Sequence, residues 1–281
     1  MSDPRLPPEL EHNIFLAAFQ SNFRDVGNLI LTAKRVHDWI LPRAFEVVIL
    51  GGGRDFPVRF TLDKFQKYGS YIRSLSAQPR ILMGSDMCDF PEFLSHCPNI
   101  TNLYIHTPYF YVDPTPIQNS LAVLPLTRLT VHTKFILSTP PPPQLLQLFT
   151  KITHLHLDGD LFSTYAPNNN PPYLRPLFAN LTHISFLHPQ SCESIRLAIE
   201  GWNELRVVVL WHARTYSNQP RHGRMKRGNF HPRLLGVQSN QLRQWEDGAR
   251  GRGPDLWEYS ENIIQSWMED ESRVIFWVGG E

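Results

Sequence analysis

Lys151-Ile152-Thr153-His154-Leu155-His156-Leu157-Asp158 is the stretch that decides how the chain is read. Its pattern is apolar, two others, apolar, one other, apolar. The same phrase recurs at Ile72/Leu75/Ala77, Ile100/Leu103/Ile105, Leu126/Leu129/Val131, Leu181/Ile184/Phe186 and Leu205/Val208/Leu210. Residues 45–50 and 233–237 are frayed copies at the two ends. The middle anchors Val48, Leu75, Leu103, Leu129, Leu155, Ile184, Val208 and Leu235 follow one another at 27, 28, 26, 26, 29, 24 and 27 residues. A steady period in the twenties marks a solenoid with one supersecondary unit per repeat.

Each phrase is too short for a helix and alternates at period 2 over its last residues, which predicts a strand with one buried face. The spacers have room for one crossover helix and two turns, as parallel neighbours require. Helical spacing is visible at residues 89–97 (Phe90, Phe93, Leu94), 143–149 (Leu145, Leu146, Phe149) and 192–202 (Ile195, Ala198, Ile199, Trp202). The expected fold class is therefore α/β, a parallel sheet with crossover helices over residues 46–240. This array resembles a degenerate leucine-rich repeat of the longer, helix-containing kind, without the Asn or Cys that usually follows the strand. The resemblance implies a curved sheet whose outward columns bind partners.

On each strand the second and fourth phrase residues, and the one just past it, are expected to point away from the core. These columns hold Tyr104, His106, Arg128, His132, His154, His156, His183 and Trp211, the candidate target-binding residues. Three readings compete for this face: a partner surface, a solvated face without a ligand, or a metal site using His154 or His156 with His183 and Asp158. The first is favoured. Ligand spacing is not distinctive, so no metal or other cofactor is assigned.

The 281 residues carry a net charge of +1, which gives no global field for nucleic acid or an anionic membrane. Nucleic acid and membrane are therefore not expected partners. The start of the chain shows no apolar signal segment, and no run is long enough to span a bilayer. Cys88, Cys97 and Cys192 are few, odd in number and lack metal spacing. Cytoplasm or nucleus is the expected compartment. Many of the 24 prolines punctuate repeat corners, including the run at 140–143. Gly51-Gly52-Gly53 lacks phosphate-loop spacing, and the basic stretch 214–233 reads as a solvated loop insert at 213–232. No nucleophile elbow, His-Glu-x-x-His or carboxylate pair stands in a recognisable context, so no enzyme is expected.

Residues 5–45 depart from the repeat. Pro7-Pro8 opens a helix striped by Leu10, Ile14, Phe15 and Ala18. A second carries Val26, Leu29 and Ile30, with Asp25 placed to cap it. A third carries Val36, Trp39 and Ile40 and is expected to stop before Pro42. The sequence Leu6-Pro7-Pro8-Glu9-Leu10 with Ile14-Phe15, then Asp25-Val26, Leu29, Leu31 and Lys34-Arg35, resembles an F-box. Thr32-Ala33 replaces the family's Val-Cys, and Val36 stands where it has Trp. The resemblance implies a small three-helix module that docks on the adaptor subunit of a cullin-RING (SCF-type) ubiquitin ligase. Leu6, Pro7, Leu10, Ile14, Leu29, Leu31 and Lys34 take the adaptor-binding positions.

Residues 241–281 are expected to form a helical cap across the end of the sheet, from helices at 241–247 and 254–268. Leu256/Trp257, Ser260, Ile263/Ile264 and Trp267/Met268 share one face of the second helix, with Pro254 in its first turn. Gln244-Trp245-Glu246-Asp247-Gly248-Ala249-Arg250-Gly251, with Asp255-Leu256-Trp257, resembles the tail of F-box-like proteins from mushroom-forming fungi. The implied function is a non-catalytic substrate receptor that joins the ligase adaptor to an unidentified protein target. The alternative is a stand-alone repeat scaffold that no longer binds the ligase adaptor, with residues 5–50 merely capping the solenoid.

Overall fold

A computed structural model describes residues 6–22, 25–50, 62–77, 90–105, 115–132, 143–158, 177–187, 202–211, 234–238, 241–269 and 278–279. The chain divides into two compact units, Met1–Ile100 and Thr101–Glu281. The basic stretch 214–233, the glycine run at 51–53 and the helical pattern at 192–201 lie outside the described residues.

The first unit begins with helices α1 (Pro8–Ser21), α2 (Val26–Thr32) and α3 (Lys34–Ala44). Phe19, Val36, Ile40 and Ala44 are buried between them, with Phe15, Leu16, Val26, Leu29 and Ile30 packed around. Arg35 on α3 is tied to Glu11 on α1 by an ion pair of 2.6 Å. Two local expectations are corrected. Asp25 stands at the start of α2, but its side chain caps no backbone amide there and instead accepts from Asn22 Nδ2. Pro42 does not end α3, which runs on to Ala44. Val36, Ile40 and Ala44 recur every fourth residue on the buried stripe, and their burial holds the last turn helical although Pro42 lacks an N–H.

Strands β1 (Val47–Leu50) and β2 (Ser74–Ala77) then pair in parallel, with Val48 opposite Leu75. Helix α4 (Leu62–Tyr68) and α5 (Phe90–Ser95) bring Phe65 and Phe93 into a stack with centroids 4.8 Å apart. Gly69 opens a short 3-10 turn, where a Cβ would lie 2.1 Å from the His96 carbonyl oxygen. Only glycine fits there.

The second unit carries β3 (Asn102–Ile105), β4 (Arg128–His132), β5 (His154–Asp158), β6 (His183–Leu187), β7 (Val207–Trp211), β8 (Leu234–Gln238) and β9 (Val278–Gly279). They form a seven-stranded sheet, all parallel and in sequence order. Strand order equal to sequence order, at one strand per repeat, is the arrangement that the period called for. Leu103, Leu129, Leu155, Ile184 and Val208 stand opposite one another in a single row, and all are buried. Helices α6 (Thr115–Ala122) and α7 (Pro143–Phe149) fill two crossovers. Helix α7 buries Leu145, Leu148 and Phe149, whereas Leu146 is exposed. The row slips at β8, where Val208 faces Leu234 and Val209 faces Leu235. With a period of two, that single step moves Leu235 from the anchor row to the opposite face of the sheet.

A hydrogen-bond ladder joins the repeats ahead of each strand. The Thr101 carbonyl accepts from the amides of Thr127 (2.9 Å) and Arg128 (3.0 Å). Thr127 O serves Thr153 and His154, Thr153 O serves Thr182 and His183, and Thr182 O serves Arg206 and Val207. The hydroxyls of Thr127, Thr153 and Thr182 reach the same carbonyls at 3.4, 3.2 and 3.1 Å. Asn180 adds a bond of 2.6 Å from Nδ2 to the Thr150 carbonyl, one repeat back.

No helix among the described residues is long and apolar enough to cross a membrane. The ladder carries a prediction. Thr153→Val keeps the side-chain shape but removes the hydroxyl, and should lower unfolding stability by about 1 kcal/mol. Denaturant titration followed by far-UV circular dichroism reads this. An unchanged midpoint would reduce the threonines to bystanders of the backbone bonds.

Candidate protein-interaction site

The described outward columns of the second unit are largely covered. Helices α8 (Gln241–Ala249) and α9 (Leu256–Glu269) lie on them as a strap, from β3 to β8. Trp245 on α8 donates from Nε1 to Asn102 Oδ1 at 3.0 Å and packs on Tyr104, both on β3. Asp255 pairs with Arg128 on β4. Trp257 makes T-shaped ring contacts with His154 on β5 and His183 on β6, at 5.4 and 5.6 Å between centroids. Glu261 accepts from His183 Nε2 at 2.9 Å. Over β7 and β8 the contact turns apolar, with Val207, Val209 and Leu235 against Leu256, Trp257 and Ile264. The slipped Leu235 is part of this contact.

The sequence of the strap accounts for its shape. Glu246 and Arg250, one turn apart on α8, form an ion pair of 2.8 Å with both side chains largely buried. Gly251 sits at φ +65°, its amide bonds the Gly248 carbonyl, and the Arg252 amide bonds the Asp247 carbonyl. This double bond over a left-handed glycine ends α8 and turns the chain. Gly248 approaches that turn so closely that a Cβ would lie 2.2 Å from Asp255 Cβ. Asp255 then caps α9, with Oδ1 accepting from the amides of Trp257 and Glu258 at 2.9 Å each. Its Oδ2 remains for Arg128. One carboxylate thus starts the helix and anchors it to the sheet.

The histidines are held beneath this strap. His154 and His183, opposite one another in the register, stack with centroids 4.1 Å apart and planes 10° from parallel. Burial lowers His154 from 6.5 to about 3, helped by His183 and Arg128 and opposed by Asp255. Burial also lowers His183, against the opposing pull of the Glu261 bond and charge, with Arg206 and Arg128 lowering it further. Both rings are neutral at neutral pH. Glu261 can only accept, so the proton of neutral His183 resides on Nε2. Its Nδ1 then accepts from the Thr182 hydroxyl at 2.7 Å, in competition with the Thr153 carbonyl that the same hydroxyl reaches at 3.1 Å. His156 is buried and bonds Ser185 Oγ through Nδ1. Burial, and then the charge of Asp158, raise the Tyr104 phenol well above its ordinary value. A cavity of about 40 Å³ remains between Tyr104, Arg128, His154 and His156 below and Trp245 and Trp257 above.

The expectation of an open face at Tyr104, Arg128, His154, His156 and His183 is therefore corrected. Tyr104, His156 and His183 are buried, while Arg128, His132 and His154 are half-buried. The expectation that the C-terminal helices sit at the end of the sheet is corrected with it. They lie on its face because Leu256, Trp257 and Ile264 find their apolar partners on β7 and β8. Within α9, Ser260 is buried and Met268 is exposed, and Pro254 precedes the capping Asp255 instead of lying inside the helix. His106 lies outside the described residues, as does the side chain of Trp211. Among the described residues, no three His, Cys, Asp or Glu side chains are placed to hold a metal ion. Cys97 is buried, and burial pushes its thiol up to about 12.

In the first unit, the outer face of α1 and the residues before it form a second surface. Leu6, Leu10 and Ile14 are 54%, 52% and 54% exposed, and Leu31 on α2 is 83% exposed. Pro7 and Lys34 are also exposed. Leu29 differs from the other adaptor-binding candidates, because it is half-buried against the core of the three helices.

No family model and no curated protein matches the sequence. Among solved structures, the chain is similar to the leucine-rich-repeat-containing protein LegL7 of Legionella pneumophila, with 18% identity and a TM-score of 0.37. The likeness covers 65% of this chain and 62% of that one.

The neutral histidines give a pH prediction with a definite sign. Both pKa values are depressed on folding, so stability is full above 6.5 and falls below it, for His154 down to about 3. The thermal midpoint should therefore fall between about pH 7 and pH 5 in the native chain, and fall less in His154→Gln. Equal slopes for the two proteins would mean that His154 is not a titrating group of the fold.

Proposed function

We propose that the chain is a non-catalytic adaptor of a cullin-RING (SCF-type) ubiquitin ligase, working in the cytoplasm or nucleus. In this reading the N-terminal helices hold the ligase adaptor subunit and the repeat sheet selects the target. The observation that carries the proposal is the exposure of Leu6, Leu10, Ile14 and Leu31 on a module whose own core is complete without them. A lone exposed leucine means nothing. Here Leu10 and Ile14 stand one turn apart on the outer face of α1, with Leu6 just ahead of the helix. Leaving such side chains in water forgoes roughly 1.5–3 kcal/mol each, which a docked partner would recover. Helices that merely capped the solenoid would turn this stripe inward. The position-by-position resemblance to an F-box supplies the identity of the partner.

The alternative, a stand-alone scaffold, differs in one measurable respect. Tagged protein should capture purified ligase adaptor in stoichiometric amounts. Leu10→Asp with Ile14→Asp should abolish capture while moving stability by no more than about 0.5 kcal/mol, as expected at surface positions. A folded native chain that captures no adaptor would leave the scaffold reading in place.

A further inference from the structure

The strap over β3–β6 has the chemistry of a bound ligand more than that of a core. A helix serving only to shield the sheet would place apolar side chains along its whole length, as α9 does over β7 and β8. Over β3–β6 the contact instead consists of a carboxylate on Arg128, a carboxylate on His183, an indole N–H on Asn102 and an indole set T-shaped against two histidines. The cavity of about 40 Å³ lies in this polar part. Arg128 and Glu261 keep 39% and 45% of their side chains exposed, so water competes both for the Arg128–Asp255 ion pair and for the bond from neutral His183 to Glu261. One end of the strap is held by apolar burial and the other by polar contacts that water can replace.

We propose that the β3–β6 face is a recognition surface for the first turn of a helix that is capped by an acidic residue and followed by Leu-Trp or a like apolar-aromatic pair. Asp255-Leu256-Trp257 occupies that surface in cis. The target presents the same chemistry in trans and displaces the first turn of α9, while Ile264 on Val207, Val209 and Leu235 keeps the strap tethered. Asp255 defines the acidic position, because it caps the helix and meets Arg128 with one carboxylate. Trp257 defines the aromatic position, against the stacked His154 and His183. The tethered occupant has a large effective concentration, so the free surface is available only to a competitor or after the strap is loosened. This inference rests on the reading of the repeat sheet as the target-selecting surface. It does not depend on adaptor capture.

The test uses the full-length protein and a labelled synthetic peptide with the sequence of residues 253–269, followed by fluorescence anisotropy. Gly248→Val loosens the strap in the protein, since its side chain would collide with Asp255. It should bind the peptide at least tenfold more tightly than the native chain does. A peptide carrying Asp255→Lys should show no such gain. Equal, weak binding by both proteins would overturn the proposal. Hydrogen exchange on the native chain covers the case in which Gly248→Val fails to fold. Excess peptide should speed exchange at residues 256–261 and leave β4 and β5 protected, and unchanged exchange overturns the proposal equally. Adaptor capture is measured on the same samples. Capture without peptide binding removes only the inference about the strap, and peptide binding without capture removes only the ligase reading.

Discussion

Each of the strands β4 to β7 starts over a carbonyl of the repeat before it, and that carbonyl accepts two successive amides. The forked bond fixes where a strand begins relative to its neighbour. Register follows, and with it the face to which every side chain points, because a shift of one residue would exchange the two faces. The apolar row Leu103, Leu129, Leu155, Ile184 and Val208 reinforces the same register from the core side. At β8 two leucines stand side by side, and the register moves by one. The slip is used: Leu235 joins the face on which α9 is anchored.

That anchoring explains how so polar a sheet face can be buried. Desolvating His154, His156, His183, Tyr104 and Asn102 has a cost unless each finds a partner. The strap or a nearby residue provides polar partners: Thr153 for His154, Ser185 for His156, Glu261 for His183 and Trp245 for Asn102, while Trp257 and Trp245 cover the rings of His154 and Tyr104. The rings stay neutral, so the stacked pair His154 and His183 carries no mutual repulsion. The same arrangement makes the face conditional. Histidines that are buried neutral resist protonation at the expense of the fold, and the bonds from Glu261 and Asp255 are open to water on one side.

The sheet was legible from sequence because burial of one face imposes a period of two within strands and a period in the twenties between them. Leu155 and its counterparts carry that signal in their side chains. The destination of the strap was not legible, because an amphipathic helix reports that it has an apolar face and not which surface it covers. Leu256, Trp257 and Ile264 announce burial equally well at the end of a sheet or on its face. The deciding residues were polar and scattered: Asp255, Glu261, Arg128 and Asn102 meet only after folding, at separations of more than 70 residues. Two local signals are carried by the sequence itself. Thr101, Thr127, Thr153 and Thr182 occupy the same place in four successive phrases, and Gly248, Gly251 and Asp255 spell out a helix end, a turn and a helix start.

The two surfaces differ in what they ask of a partner. The stripe of Leu6, Leu10 and Ile14 is apolar and open, so a partner gains mainly by removing it from water, and the module's fold is indifferent to that gain. The sheet face is polar and already occupied, so a partner gains only the difference between its own contacts and those of Asp255, Trp257 and Glu261. The first surface favours affinity with little selection beyond shape. Under the proposed reading, a segment that leaves His183 without a carboxylate would bind less well, because His183 is buried and an unpaired buried polar group is penalised more heavily than a lost apolar contact. Under the proposed function, selectivity would therefore lie in the sheet and its strap, and simple attachment in the helices.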